Sequence, residues 1–183
     1  MSPDTATATI RPARVGDAER ILSMINGYAQ KQIMLPRSPM SVYEGIRNFV
    51  VADAAADDTV VACGALHVVW GDLAEVRSLA VDPHWTKKGL GQLIVQRLID
   101  DADQLGIARL FAFTYVPDFF ARMGFRRAEH SELPHKVFGD CMNCPKFSAC
   151  DEIAVIRDLR PMKEYSQGPL SRPLPAGPLP RLV

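Results

Sequence analysis

The sequence predicts an α/β (α+β) domain built on a mixed, mostly antiparallel sheet, and three observations lead there. Between Phe49 and Val81 three apolar, β-rich runs follow one another with only the turn segments ADDT and WGD between them, the pattern of an antiparallel meander. The third run breaks at Asp82-Pro83 into a basic Gly-x-Gly loop, Lys87-Lys88-Gly89-Leu90-Gly91, that opens a long amphipathic stretch. A further apolar run, Arg109 to Thr114, returns after that stretch, so strand, helix and strand make one parallel pair in the sheet.

Taken in chain order, residues 7 to 12 alternate as a short strand, and Asp17 is placed to cap a helix whose apolar stripe is Ile21, Leu22, Met24, Ile25 and Tyr28. A loop holding Leu35, Pro36 and Arg37 leads to a second helix over Pro39 to Phe49. Strands follow at Phe49 to Ala52, Val60 to Trp70 and Leu73 to Val81. From Gly89 to Leu105, Leu90, Leu93, Ile94, Leu98, Ala102 and Leu105 recur at three and four residues, and Gly106 ends that helix as a C-cap glycine. Arg109 to Thr114 is a strand, Pro117 opens a short helix ending at Gly124, and strands near Phe125 and at Ile153 to Leu159 close the sheet. Ser166 to Val183 holds five prolines without helix or strand spacing. The expected division is a disordered segment at 1–7, one domain over 8–160 and a Pro-rich flexible tail at 161–183.

Composition narrows the function. A chain of 183 residues with 48% apolar content suits one well-buried domain. The 21 basic and 21 acidic side chains cancel, so the basic stripe that a nucleic-acid binder uses to neutralise phosphates is missing, and no nucleic-acid partner is expected. Neither a secretory leader nor an apolar run of the ~18 residues needed to cross a bilayer is visible, which predicts a cytoplasmic protein without a membrane partner. Cysteines in that compartment are expected to be reduced.

The Gly-x-Gly loop is where a ligand is first expected. Lys87, Lys88, Gly89, Leu90 and Gly91 can aim unpaired backbone N–H groups and two ammonium heads at a polyanion, because a first helical turn leaves its donors unsatisfied at the positive end of the dipole. The spacing fits neither the Walker loop nor the three-glycine dinucleotide fingerprint. On the two glycines alone, close packing of a helix on a strand is an equal explanation.

AVDPHWTKKGLGQLIVQRLIDDADQLGIARLFAFT, followed by PDFFARMGF, resembles the GCN5-related N-acetyltransferases (GNAT), whose pyrophosphate loop has the pattern Gln/Arg-x-x-Gly-x-Gly/Ala. The resemblance spans roughly residues 8 to 159. Its closest likeness is to the acetyltransferase domain of N-acetylglutamate synthases, through LPRS at Leu35 to Ser38, GALHV at Gly64 to Val68, AEVRSLAVDP, and FFARMGF at Phe119 to Phe125. It implies the GNAT fold, with a V-shaped splay between strands 4 and 5 and helices on both faces. It also implies acetyl-CoA as co-substrate, the α-amine of an amino acid as acceptor, with glutamate or glutamine in arginine biosynthesis as the leading substrates, and a homodimer by family habit.

The resemblance assigns roles residue by residue. The pantetheine arm would pair with the strand edge at Leu79, Ala80 and Val81, the phosphates would lie on Lys87 to Gly91 with Gln92, and Phe119 and Phe120 would complete the cofactor wall. Glu75 would act as general base, the alternative being an ion pair with Arg77, because an α-amine with a reference pKa of about 8 must lose a proton before it attacks. Thr114 would donate to the leaving thiolate, with Tyr115 in reserve, since Phe120 occupies the slot where many GNAT enzymes carry a tyrosine. Leu35 and Arg37 would bind the amino acid, the guanidinium matching its carboxylate, with Arg77 and Ser78 beside them.

Two departures stand out. Thr86 replaces the usual Gln or Arg of the loop and leaves Lys87 and Lys88 to compensate. FSACDE, ending in Cys150, Asp151 and Glu152, replaces the basic segment that precedes the last strand in familiar synthases, so a distal γ-carboxylate would lose its partner there. Separately, His135, Cys141, Cys144 and Cys150 give H-x5-C-x2-C-x5-C. That is a spacing at which thiolates reach one tetrahedral zinc, or less readily an iron–sulfur centre; reduced packing cysteines in a tight loop are the alternative. Cys63, alone on a strand, reads as core. A noncatalytic acetyl-CoA-binding regulator, or a GNAT enzyme for another amine, would fit the same pattern.

Overall fold

Alternation along the strands sorts apolar side chains onto two faces, and the computed structural model, which describes residues 8–56, 58–129, 132–133 and 150–161, shows both faces covered. Strands β1 (Ala8–Pro12), β2 (Phe49–Ala54), β3 (Val60–Trp70), β4 (Leu73–Val81), β5 (Arg109–Thr114), β6 (Arg126–Arg127) and β7 (Ile153–Asp158) form one sheet in the order β1-β2-β3-β4-β5-β7-β6. β4–β5 is parallel and the other pairs are antiparallel. Val50, Ala52 and Ala54 of β2 pack into the cluster of helix α3 (Leu90–Gln104) and helix α4 (Pro117–Ala121). Phe49 and Val51, one residue out of phase, pack with helix α1 (Ala18–Ala29) and helix α2 (Pro39–Glu44) on the opposite face.

The buried stripe of α3 is Leu90, Ile94, Val95, Leu98, Ile99 and Ala102. Leu93 and Leu105, which the spacing assigned to the core face, are instead exposed. A straight helix turns 100° per residue, so 90-94-98-102 and 95-99 share one face while 93 falls off its edge; Leu105 keeps the angle of that face but is the C-cap, past the last residue of the helix. Gly64 of β3 lets α3 come close: a Cβ built there would lie 2.6 Å from Ile94 Cγ2 and 3.3 Å from Leu98 Cδ1.

Three local expectations are corrected. The second helix ends at Glu44; Gly45 breaks it, a single 3₁₀ turn over Ile46–Asn48 follows, and Phe49 is already strand. Asp17 stands at the α1 N-cap, but its carboxylate does not cap that helix. It accepts instead from Arg11 at 2.7 and 3.0 Å and from the Arg14 N–H at 2.7 Å, in competition with which a cap to α1 is lost. Arg11 also grips Asp53 of β2 at 2.5 and 3.1 Å, so one guanidinium ties the edge strand, the helix entry and the neighbouring strand. The hydrogen bonds from Arg11 hold the Asp17 carboxyl below its usual 3.8, more than offsetting its burial. The last strand ends at Asp158 rather than Leu159. Cys63 is fully buried as expected, and burial pushes its thiol up to about 12.

Gly106, with φ +81°, follows the last turn of α3 as expected of a C-terminal glycine. Among the described residues no helix is long and apolar enough to cross a membrane.

Candidate active site

Parallel pairing between β4 and β5 lasts for three residues, Leu73↔Arg109, Ala74↔Leu110 and Glu75↔Phe111. Beyond Glu75 the two strands keep different company. β4 stays with β3 as far as Val81↔Ala62, and β5 stays with β7 as far as Thr114↔Ile153. The wedge between them is the expected V-shaped splay. A bulge in β4 assists it: Gly64 lies between the pairs Cys63↔Ala80 and Ala65↔Arg77, so Ser78 and Leu79 face one residue, and Ser78 takes the left-handed conformation at φ +55°. The wedge opens into a groove of about 1250 Å³. Ordinary small-ligand pockets span roughly 300–1,000 Å³, so this one accommodates an extended ligand.

Glu75 occupies the vertex. Its side chain is only 6% exposed, and Oε2 lies 3.6 Å from Arg77 Nη1, two residues along the same strand face. At the end of β5 the Thr114 hydroxyl accepts from the Val116 N–H at 3.0 Å, which leaves its own proton available to a second partner. Next to it the Tyr115 hydroxyl donates to Asp151 Oδ1 at 2.6 Å, so that proton is already committed.

The other end of the groove is the α3 N-terminus. Lys87 at φ +61° and Gly89 at φ +82° turn the backbone twice into the left-handed region, the geometry in which successive N–H groups line a concave anion nest. Gly89 is the N-cap, and no side chain caps the first turn. Its donors therefore point toward the groove together with the positive dipole end. A methyl on Gly91 would touch the Phe119 ring at 3.5 Å and Val81 Cγ2 at 3.8 Å, filling the passage from the loop to β4.

Helix α1 pins the open end of β4. The Tyr28 hydroxyl donates to the Val81 carbonyl at 2.5 Å, and burial raises its pKa. Arg20 donates to the Val60 carbonyl at 3.0 Å and to Asp82 at 2.5 Å, while Asp82 caps the following 3₁₀ turn, Pro83–Trp85, through the His84 N–H at 2.9 Å. Burial raises the Asp82 carboxyl, but these donors prevail and hold it below its usual value. From that turn the Trp85 ring receives Lys88 Nζ at 4.3 Å from its centroid. At the opposite wall, Asn26 of α1 holds the loop of Arg37 by both backbone groups: its Oδ1 accepts from the Arg37 N–H at 2.9 Å and its Nδ2 donates to the Arg37 carbonyl at 3.1 Å.

The groove gathers nearly all the residues singled out from sequence. Leu35, Arg37, Glu75, Arg77, Ser78, Leu79 and Val81 line it, as do Lys87, Gly89, Leu90, Gly91 and Gln92, and Thr114, Phe119 and Phe120. Ala80 does not: its side chain is buried in the α1 cluster, and only its backbone is at β4. Lys88 sits outside the lining, over Trp85. Cys150 lies at the groove wall and is exposed, while Cys141, Cys144 and His135 fall outside the described residues. No group of three or more His, Cys, Asp or Glu among the described residues could hold a metal.

Tyr28, Trp85 and Arg122 line the groove without having been singled out for it, and Glu152, named as part of the segment that replaces the basic one, lines it as well. Trp85 had a signal, an aromatic three residues before a lysine in a Pro-led turn. Tyr28 read simply as the end of a core stripe, since nothing local says that its hydroxyl reaches a strand 53 residues away.

Comparison with known proteins agrees with this geometry. The acetyltransferase (GNAT) family matches residues 22–125. The chain is 40% identical over 154 residues to an uncharacterized N-acetyltransferase of Chlorobaculum tepidum, covering 84% of this chain and 98% of that one. It is 39% identical over 139 residues to an amino-acid acetyltransferase of Mycobacterium tuberculosis, covering 75% and 79%. Among solved structures, a Mycobacterium tuberculosis protein crystallised with CoA and a second small molecule superposes with a TM-score of 0.73 at 34% identity, over 82% of this chain and 99% of that one. An N-acetylglutamate synthase of Neisseria gonorrhoeae, in complex with coenzyme A and N-acetyl-glutamate, superposes with a TM-score of 0.76 at 29% identity; 85% of this chain is matched but only 36% of that longer one.

Proposed function

The chain belongs to the GNAT acetyltransferase family, and from that premise we propose that it transfers the acetyl group of acetyl-CoA to the α-amine of an amino acid of the glutamate or glutamine type, at the entry to arginine biosynthesis. The observation that carries this reading is the wedge between β4 and β5, with a buried carboxylate at its vertex and a backbone anion nest at its mouth. The names of the mycobacterial and neisserial relatives support the amino-acid acceptor.

The phosphates of acetyl-CoA rest on the nest of Lys87 to Gly91, where first-turn N–H groups meet their charge without a reorganisation cost. The pantetheine arm runs along the edge of β4 that β5 vacates beyond Glu75, adding to the strand as a peptide would. Because Tyr28 already occupies the Val81 carbonyl, the arm uses backbone groups nearer the bulge. This delivers the thioester to the vertex. Glu75 accepts a proton from the substrate ammonium, the freed nitrogen attacks the thioester carbonyl, and the tetrahedral intermediate collapses by breaking the C–S bond as its nitrogen gives up a second proton, which ends on the departing CoA sulfur. Thr114, whose oxygen is held by the Val116 N–H, gives a hydrogen bond to the departing thiolate. Arg37, fixed by Asn26, takes the substrate carboxylate in a bidentate pair.

Glu152 favours glutamine over glutamate. It lines the groove in the segment just before β7, and a distal carboxylate brought beside it would meet like charge whereas an amide would not.

Thiol release from acetyl-CoA across a panel of twenty amino acids tests the proposal. Glutamine and glutamate should give the highest kcat/KM, with glutamine ahead. Silence with every amino acid would refute the acceptor class, and CoA bound without turnover of any amine would favour a regulator.

A further inference from the structure

The geometry points to Trp85 as a positioning residue that holds the Lys88 ammonium for the 3′-phosphate of the CoA nucleotide, making the enzyme discriminate CoA from its 3′-dephospho form. This rests on the reading that the groove binds CoA. Trp85 is anchored on both sides. Its ring packs partly buried against the α3 cluster, and its backbone belongs to the turn that Asp82 caps and Arg20 steadies from α1. Lys88 is otherwise an exposed, flexible side chain, yet its Nζ lies 4.3 Å above that ring. An ammonium attracted to an aromatic face gives up rotamer freedom before the ligand arrives, and so loses less on binding it.

Where the pair sits decides which phosphate it serves. The nest at Lys87, Gly89 and Gly91 faces the groove and suits the pyrophosphate, which is continuous with the arm that must run along β4. Trp85 lines the groove and the exposed Lys88 ammonium lies over its ring, so the cation stands at the groove's edge. A phosphate reaching the rim hangs off the nucleotide rather than joining it to the arm. Thr86 cannot serve instead: its hydroxyl is turned back to donate to the Pro83 carbonyl at 3.0 Å.

Titration calorimetry with CoA and 3′-dephospho-CoA, each on wild type, Trp85→Ala, Trp85→Phe, Lys88→Ala and the Trp85→Ala/Lys88→Ala double variant, tests this. The readout is the ratio of the two dissociation constants, which a general loosening of the loop would leave unchanged because both ligands would weaken together. Wild type should prefer CoA about fourfold at low salt, a factor expected of one rim ion pair, and the preference should shrink as salt is raised. Lys88→Ala and Trp85→Ala should each bring the ratio near one, Trp85→Phe should retain most of it, and the double variant should go no lower than Lys88→Ala. A wild-type ratio near one, or an undiminished ratio in Lys88→Ala, overturns the inference while leaving the CoA site intact. A full ratio in Trp85→Ala overturns the role of Trp85. Failure of both ligands to bind overturns the CoA reading itself.

Discussion

Replacing Gly64 with alanine tests the contact on which the position of the phosphate loop depends. A methyl at residue 64 would sit 2.6 Å from Ile94 Cγ2, a distance that side-chain carbons do not share, and 3.3 Å from Leu98 Cδ1. Ile94 cannot swing its Cγ2 away, because that atom branches directly from Cβ and the residue is fully buried on a rigid helix. α3 must therefore shift outward or Ile94 must leave its rotamer, the overpacking that costs about 1–3 kcal/mol in tight cores. For a domain of this size that corresponds to a Tm lower by about 4–8 °C if the cost is about 2 kcal/mol. Since α3 starts at the anion nest, the same shift should weaken CoA binding. The second-site variant Ile94→Leu removes the offending branch at conserved volume, so Gly64→Ala/Ile94→Leu should recover more than half of the lost stability. Thermal and urea unfolding followed by circular dichroism read both effects. A Tm for Gly64→Ala within 1 °C of wild type, or a loss that Ile94→Leu leaves untouched, would refute the reasoning.

Further expectations concern the site and the edge of the sheet. Glu75→Gln keeps the shape of the vertex and removes the proposed base, so kcat should fall about 10²–10⁴-fold in a thiol-release assay while the Kd for CoA, by calorimetry, stays within about twofold. Arg37→Ala should raise the amino-acid KM by an order of magnitude or more with acetyl-CoA binding intact; an unchanged KM would reject the carboxylate role. Asn26→Leu, which touches no substrate, should raise the same KM by releasing the Arg37 backbone from its two hydrogen bonds, and equal KM values for wild type and variant would count against the pinning. Arg11→Met leaves Asp17 and Asp53 facing each other without their shared cation and should cost about 3 kcal/mol at pH 7 by urea denaturation. Asp17 is held below 3.8 in the folded wild type, so its contribution is fully present above that value and is lost as pH falls below it; the gap between wild type and Arg11→Met should close there.

Much of this molecule can be read along the chain, and the reason is local periodicity. β4 and β5 follow the expected limits because their apolar runs are bounded by a turn and a proline or glycine. Lys87 to Gly91 could be placed at the entry of α3 because the signals of a helix start are carried by consecutive residues. Expectations missed where two local preferences competed: the second helix yielded to Gly45, and Asp17 yielded its cap to a guanidinium six residues earlier.

Sequence alone determined the element order, the basic turn ahead of α3, and the residue types that acyl transfer would employ, because each depends on neighbours within a few positions. Tertiary structure alone decided which of them meet. The parting of β4 from β5 after Glu75, the Tyr28 bond to Val81, the Asn26 brace on Arg37 and the tight seat of α3 on Gly64 all join residues 11 to 53 positions apart. Such distances close only when sheet twist, helix packing and the bulge at Ser78 are satisfied together, and no window of the chain contains that information.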